Sequence, residues 1–414
     1  MDINIYSNLN KYFIIFSLFK NNTSIQIINY LKNYDNKEEL NRFLILQDNF
    51  GYTPFSILFY NKFIDYDVIY YLINNFDLIN FSNYYSLCPI NYALLELDDK
   101  KIIKLLLDNC KLDILDSNDN NLYHYLIMKN NEINNNFIKY LYYNYNLDLY
   151  DKKNKKNYTP LLKACLINNT EAIKFFINIG CDYNTINDNN NTCLMYACMH
   201  NNFEIIKLLL EKNVDINKQD NQYDVALSYS CGCDIISNCD FNIIKYLIDN
   251  GANYNNTDID NNTILMYICG ICTQYLEFNI NIEILKYLLK LDINRNIKNK
   301  NNKTFYDILI EKDKNIFIEL LNENYIKIDD SMIKYYYFYD FDINLFTNIQ
   351  TSKIKIDDTC LICRMEFEEN NELLKCSKHY FHKECLIDWF KSCDNLKCPY
   401  CYKDFEFRKE RYII

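Results

Sequence analysis

Apolar residues in the first 330 positions recur at helical spacing, in short runs separated by polar stretches. Ile205, Ile206, Leu208, Leu209 and Leu210 fall on one face of a predicted helix. The pattern also repeats. Tyr158-Thr159-Pro160-Leu161-Leu162-Lys163-Ala164-Cys165 returns as Asn191-Thr192-Cys193-Leu194-Met195-Tyr196-Ala197-Cys198, each followed by a second apolar run. With the Thr as anchor, equivalent positions are Thr53, Cys88, Asn121, Thr159, Thr192, Val225, Thr263 and Thr304, at intervals of 35, 33, 38, 33, 33, 38 and 41. Each unit predicts helix, turn, helix and polar loop.

The last two long intervals have a local cause. From the anchor to the Lys of the second apolar run is 15 residues at Thr159–Lys174 and Thr192–Lys207, but 20 at Val225–Lys245 and 23 at Thr263–Lys286. The extra residues therefore fall between the two helices of those units. The second helix ends at Gly180, Asn213 or Gly251 in equivalent units. Gly and Asn tolerate the left-handed backbone of a helix C-cap, so the exchange follows a conformational requirement.

Thr53-Pro54-Phe55, Thr159-Pro160-Leu161, Leu208-Leu209 and Gly251-Ala252-Asn253 resemble the ankyrin repeat motif, over roughly residues 48–330. The resemblance implies a mostly α solenoid of about eight repeats. The units at Thr159 and Thr192 match well, and those at Asn121 and Thr304 are degenerate. Residues 1–47 are expected to form a helical cap, because a terminal repeat needs a polar outer face.

Composition changes this picture little. Hydrophobic residues at 49% exclude a disordered chain, and five Gly with four Pro are too few to turn a large β protein. Asn, Ile, Tyr, Lys and Phe are abundant while Ala is scarce, a bias that reads as codon supply from an AT-rich genome. The net charge is −11, and residues 360–414 hold 10 basic and 10 acidic side chains, so the acidic excess lies before them. An acidic body disfavours a phosphate backbone, so a protein partner is expected and nucleic acid is not. No apolar run approaches the ~20 residues that cross a bilayer, and the N-terminus lacks signal-peptide character. A soluble intracellular chain (cytoplasm or nucleus) without a membrane partner is therefore expected.

In such a compartment disulfides are rare, and the 18 cysteines need another use. Cys165, Cys198, Cys231 and Cys269 each stand six residues after an anchor, where ankyrin repeats place a small residue between close helices. There a thiol acts as a small hydrophobe. This reading absorbs half of the Cys269-x2-Cys272 pair. Cys233, Cys239 and Cys272 lie in the two insertions and lack a four-ligand pattern. His124 stands where the ankyrin motif has a structural His, and His200 is isolated. No phosphate loop or nucleophile elbow is present.

The C-terminal segment differs. Cys360, Cys363, Cys376, His379, His382, Cys385, Cys398 and Cys401 follow the spacing C-x2-C-x12-C-x2-H-x2-H-x2-C-x12-C-x2-C. A two-residue gap lets a turn present both side chains to one tetrahedral ion, and four such pairs suffice for two closed zinc sites. Cys393, five residues before Cys398, is outside the pattern.

The order resembles a RING finger with His at the fourth and fifth ligand positions. That family interleaves its sites. Carried over, Cys360, Cys363, His382 and Cys385 hold one zinc, and Cys376, His379, Cys398 and Cys401 the other. Phe367, Leu373 and Phe381 match its small core, and Cys385–Ser392 its short helix. The resemblance further implies a ubiquitin ligase without catalytic residues of its own, which docks a ubiquitin-conjugating enzyme on Ile362, Trp389 and Pro399, with Tyr400 beside them. The position after the last ligand is Tyr402, where many active ligases have a basic residue.

Together these features predict residues 1–47 as cap, 48–330 as repeats, 331–355 as an aromatic linker or C-terminal cap, and 356–414 as the zinc domain. The expected function is ubiquitin transfer to a protein held on the concave face of the repeats. The alternative is a non-catalytic adaptor. The domain pairing and composition also resemble ankyrin–RING proteins of large DNA viruses of amoebae, which implies host targets.

Overall fold

The computed structural model describes residues 13–83, 85–145, 148–232, 239–271 and 280–326, together with two short strands at 373–375 and 380–382. The chain forms two compact units, one ending at Ile259 and the other beginning at Asp260.

Apart from one hairpin, the regular elements of the described residues are helices. Three helices precede the first anchor: α1 (13–21), α2 (Ser24–Lys32) and α3 (Lys37–Leu44). Five helix pairs follow: α4 (Pro54–Leu58) with α5 (Tyr66–Asn75), α6 (Pro89–Glu96) with α7 (Lys100–Asn109), α8 (Leu122–Met128) with α9 (Glu132–Tyr145), α10 (Pro160–Leu166) with α11 (Thr170–Asn178), and α12 (Cys193–Met199) with α13 (Phe203–Glu211). The first unit closes with α14 (Ala226–Ser230) and α15 (Phe241–Asp249). The second unit holds α16 (Ile264–Ile268) with α17 (Ile282–Leu289) and α18 (Phe305–Lys312) with α19 (Lys314–Asn322).

The residue capping the first helix of each pair is one of the eight anchors. The reason is local. Thr53, Thr159, Thr192, Thr263 and Thr304 each accept a hydrogen bond on the side chain from the backbone N–H three residues on, which satisfies an orphan donor of the first turn. Val225 and Cys88 cannot cap in this way. There the third helical residue reaches back instead: Ser228 Oγ accepts from Val225 N at 3.4 Å and Asn91 Oδ1 from Cys88 N at 2.8 Å.

The turn before each anchor is equally regular. The residue two before the anchor has a left-handed backbone in all eight units: Gly51, Ser86, Asp119, Asn157, Asn190, Tyr223, Asn261 and Asn302. The residue five before it is Asp or Asn in all eight, and in seven it caps the turn in one way. Its side-chain oxygen accepts from the N–H groups two and four residues on, as Asn187 does from Asn189 at 3.0 Å and Asn191 at 2.9 Å. Asp48, Asn83, Asp116, Asn154, Asp220 and Asn299 do the same. Much of the Asn content thus performs turn chemistry, which corrects the reading of that bias as codon supply alone.

Successive turns are joined edge to edge. In the first unit Ser117 N donates to Tyr85 O, Lys155 N to Asn118 O, Asp188 N to Lys156 O, Asn221 N to Asn189 O and Ile259 N to Gln222 O. In the second, Lys300 N donates to Asp260 O at 2.9 Å.

The insertions sit between the paired helices. α14 and α16 are each five residues long, against seven for α10 and α12. Each short helix is followed by a left-handed glycine, Gly232 or Gly270. In the regular units that role falls to Asn168 and Asn201, after a longer helix.

Burial follows the helical pattern, with a refinement. On α13, Ile205, Ile206 and Leu209 are buried while Leu208 and Leu210 are half-exposed, so the inward stripe is narrower than the apolar run. At the N-terminal side, Asn61 Nδ2 donates to the carbonyls of Phe19 and Asn22, both at 2.8 Å, tying the end of α1 to the α4–α5 turn. Among the described residues no helix is long and apolar enough to cross a membrane.

The C-terminal strands form a hairpin. β1 (Leu373–Lys375) pairs antiparallel with β2 (Tyr380–His382), in the register Leu373 to His382, Leu374 to Phe381 and Lys375 to Tyr380.

Candidate functional site

The array cysteines are packed. Cys165, Cys198, Cys231 and Cys269 are buried, with exposures of 1% or less. Burial pushes the Cys198 thiol up to about 12 and holds those of Cys165, Cys231 and Cys269 well above the ordinary range. A thiol so desolvated is a poor nucleophile and a poor metal ligand. Cys239 is half-buried and also raised, to about 11. Cys233 and Cys272 lie outside the described residues.

His124 is a structural residue. Its Nε2 lies 3.0 Å from the carbonyl of Tyr158 on the next turn, and Nδ1 lies 3.3 Å from Asn121 N. A carbonyl only accepts, so Nε2 carries the hydrogen and Nδ1 accepts from Asn121. Burial lowers this group to about 4, partly opposed by the bond to Tyr158. His200 Nε2 contacts the carbonyl of Leu166 at 2.7 Å, again across to the neighbouring repeat.

A polar network that the sequence reading passed over joins each turn to its own first helix. The residue four after the anchor is Tyr in several units, and its hydroxyl meets the Asx residue of the turn. Tyr125 donates to Asp116 Oδ2 and Tyr229 to Asp220 Oδ2, both at 2.7 Å. In the other polarity, the amides of Asn83 and Asn187 donate to Tyr92 and Tyr196 at 2.6 and 2.9 Å. The recurrence of Tyr at one register position was the available signal. At Thr159 that position is Lys163 instead.

In the C-terminal segment the hairpin is the described element. The four residues joining its strands are Cys376, Ser377, Lys378 and His379, two of which are expected ligands, and His382 ends β2. Leu373 and Phe381, expected in the small core, lie on β1 and β2. Of the expected ligands only His382 is a described residue; Cys360, Cys363, Cys376, His379, Cys385, Cys398 and Cys401 lie outside the described residues. So do the docking residues Ile362, Trp389, Pro399 and Tyr400, with Tyr402 and the linker. The donor set fits zinc on its chemistry, because thiolates and imidazoles are its preferred ligands.

Comparison with known proteins agrees in both regions. Residues 123–220 match the model of ankyrin repeats in three copies, and residues 358–402 match the Ring finger domain. The chain carries ankyrin repeats and a RING finger domain. The chain is 45% identical over 47 residues to an uncharacterized RING finger protein of Schizosaccharomyces pombe, a match covering 11% of this chain and 8% of that one. It is 36% identical over 66 residues to the probable E3 ubiquitin-protein ligase RHB1A of Arabidopsis thaliana, covering 15% of this chain and 34% of the relative. To the E3 ubiquitin-protein ligase RHA1B of the same plant it is 31% identical over 51 residues, covering 12% and 32%. The chain thus spans about a third or less of the relatives it matches.

Proposed function

We propose that this protein is a RING-type ubiquitin ligase that recruits a protein target through its ankyrin repeats. The observation that carries the reading is the RING match at 358–402, with eight ligand-type residues in order, on a chain that also holds protein-binding repeats. The names of the two plant relatives support the activity.

In this reading residues 356–414 form the zinc domain, 48–330 the repeats, 1–47 and 331–355 the flanking segments. Cys360, Cys363, His382 and Cys385 hold one zinc ion, and Cys376, His379, Cys398 and Cys401 a second. Bound zinc supplies folding energy to a segment too small for a large core, and closed sites leave no position for a catalytic water.

Ile362, Trp389, Pro399 and Tyr400 dock the conjugating enzyme. Catalysis is by orientation: the docked thioester is held where a target lysine displaces the enzyme's cysteine. No nucleophile of this chain is required. The targets are intracellular proteins, host proteins if the chain is viral.

The test is ubiquitin transfer by the full chain over a panel of conjugating enzymes. Ile362→Ala or Trp389→Ala is expected to abolish transfer with zinc retained, since losing a hot-spot anchor costs about 2 kcal/mol or more. Tyr402→Arg should raise the rate. Tyr402 is also what favours the second reading, an adaptor whose two modules only bind. A wild type inert with every enzyme, and not awakened by Tyr402→Arg, establishes the adaptor instead.

A further inference from the structure

The turn entering the repeat at Thr159 differs from its neighbours. Lys152, Lys153, Lys155 and Lys156 occupy four of five consecutive positions and all are exposed. The corresponding tips of the adjoining turns are Ser117-Asn118 and Asp188-Asn189. At the root of the same turn stands Lys163, in the register position that five other repeats give to Tyr. Its ammonium lies 5.7 Å from the centre of the Tyr158 ring.

These five cations are not neutralised within the fold. None makes an ion pair among the described residues, whereas Lys129 reaches Asp98 at 2.8 Å and Lys174 reaches Glu204 at 2.9 Å. The nearby carboxylates are engaged otherwise. Asp151 accepts from Asp182 N at 3.3 Å, and Asp188 from Asn157 Nδ2 at 2.6 Å. Lys155 Nζ is spent on the carbonyl of Ser117 at 2.6 Å, which fixes the tip against the preceding turn. Burial and the proximity of Lys156 both lower the Lys163 ammonium. A chain of net charge −11 therefore gathers like charges on one turn and leaves four of them exposed, with Lys163 half-buried beneath. Such a local reversal of sign selects and steers an oppositely charged partner.

We infer that the turn Lys152–Lys156, with Lys163 at its root, is a docking point for an Asp- and Glu-rich segment of a partner protein. The inference deepens the proposed function and rests on the reading that the repeats recruit a protein. It assigns the chemistry of what they recruit. A nucleic acid offers the same sign of charge, but the acidic surroundings disfavour a long phosphate backbone.

The test uses the full chain and a fluorescently labelled poly-glutamate peptide, read by anisotropy at low and at physiological salt. Lys152→Glu, Lys153→Glu and Lys156→Glu together should weaken binding about tenfold or more, and adding Lys155→Glu should weaken it further. A matched set at exposed Lys100, Lys101, Lys218 and Lys245 changes net charge as much as the full set and should change affinity less than about twofold. The triple variant leaves the Lys155 bond in place, so an unchanged melting curve separates lost binding from lost fold. No binding by the wild type at low salt, or equal loss in the matched set, overturns the inference. Tighter binding of a single-stranded oligonucleotide, lost in the same variants, overturns it in favour of nucleic acid. The readout contains neither ubiquitin nor conjugating enzyme. A silent ligase therefore leaves it standing, and a failed binding result leaves ubiquitin transfer to be judged separately.

Discussion

Cysteine serves two opposite ends in the two regions of this chain. In the repeats, Cys198 lies fully buried on α12, and its thiol is held protonated by the loss of water. In the C-terminal segment the proposed ligand Cys398 must lose its proton to do its work. The residue is the same and the distinction is made by surroundings. A helix–helix contact accepts a small apolar thiol, whereas x2 spacing presents a pair to a cation. Cysteine count therefore says little, and cysteine register says a great deal.

The comparison breaks or sharpens most at the metal. Cys398→Ser is expected to cost the full chain one zinc ion, and a chelator both, with collapse of the hairpin, since structural zinc contributes on the order of 10 kcal/mol. Cys198→Ala and Cys269→Ala should leave metal content unchanged and lower stability by about 1 kcal/mol. Metal analysis beside thermal unfolding reads both. A zinc loss at Cys198 or Cys269 would erase the contrast.

Within the repeats, His124 provides a pH test. Its folded value of about 4 lies below the ordinary 6.5, so the unfolded chain binds more protons in between. Stability should fall as pH drops from 6.5 towards 4, by up to about 3 kcal/mol from this group. Denaturant titrations across that window should show the dependence shrinking in His124→Gln. An unchanged slope would mean that the ring is not held neutral.

The turns come next in size. Asn187→Ala removes the acceptor for two backbone N–H groups and the donor to Tyr158 and Tyr196. A loss of about 2 kcal/mol is expected, because buried groups are left without partners. The smallest effect has the opposite sign. Tyr223 holds a left-handed backbone, φ 63°, where the other units have Gly, Ser, Asp or Asn, and its ring is exposed. Tyr223→Asn should stabilise by about 0.5–1 kcal/mol, measurable as a raised melting temperature. A destabilised variant would show that the ring itself supports the turn.

The helix pairs and their anchors were legible in the sequence because they depend on local chemistry. A Thr before an apolar run caps a helix, and a Gly or Asn after one ends it, whatever lies elsewhere. The ligand spacing was legible for the same reason, since x2 pairs are chelating units by themselves. Other features belonged to the tertiary structure. That Leu208 and Leu210 stay half-exposed beside buried Leu209 depends on where the neighbouring helices lie. So does the bond from His124 to Tyr158, 34 residues away. The turn-to-turn ladder and the Tyr–Asx bonds likewise need two segments to be set side by side. The Lys152–Lys156 run could be read off the sequence as charge, but only packing decided that, among the described residues, no carboxylate pairs with it. A sequence records which groups a chain carries and their local spacing. Desolvation and pairing are set by what the fold brings near, and they decide what each group becomes.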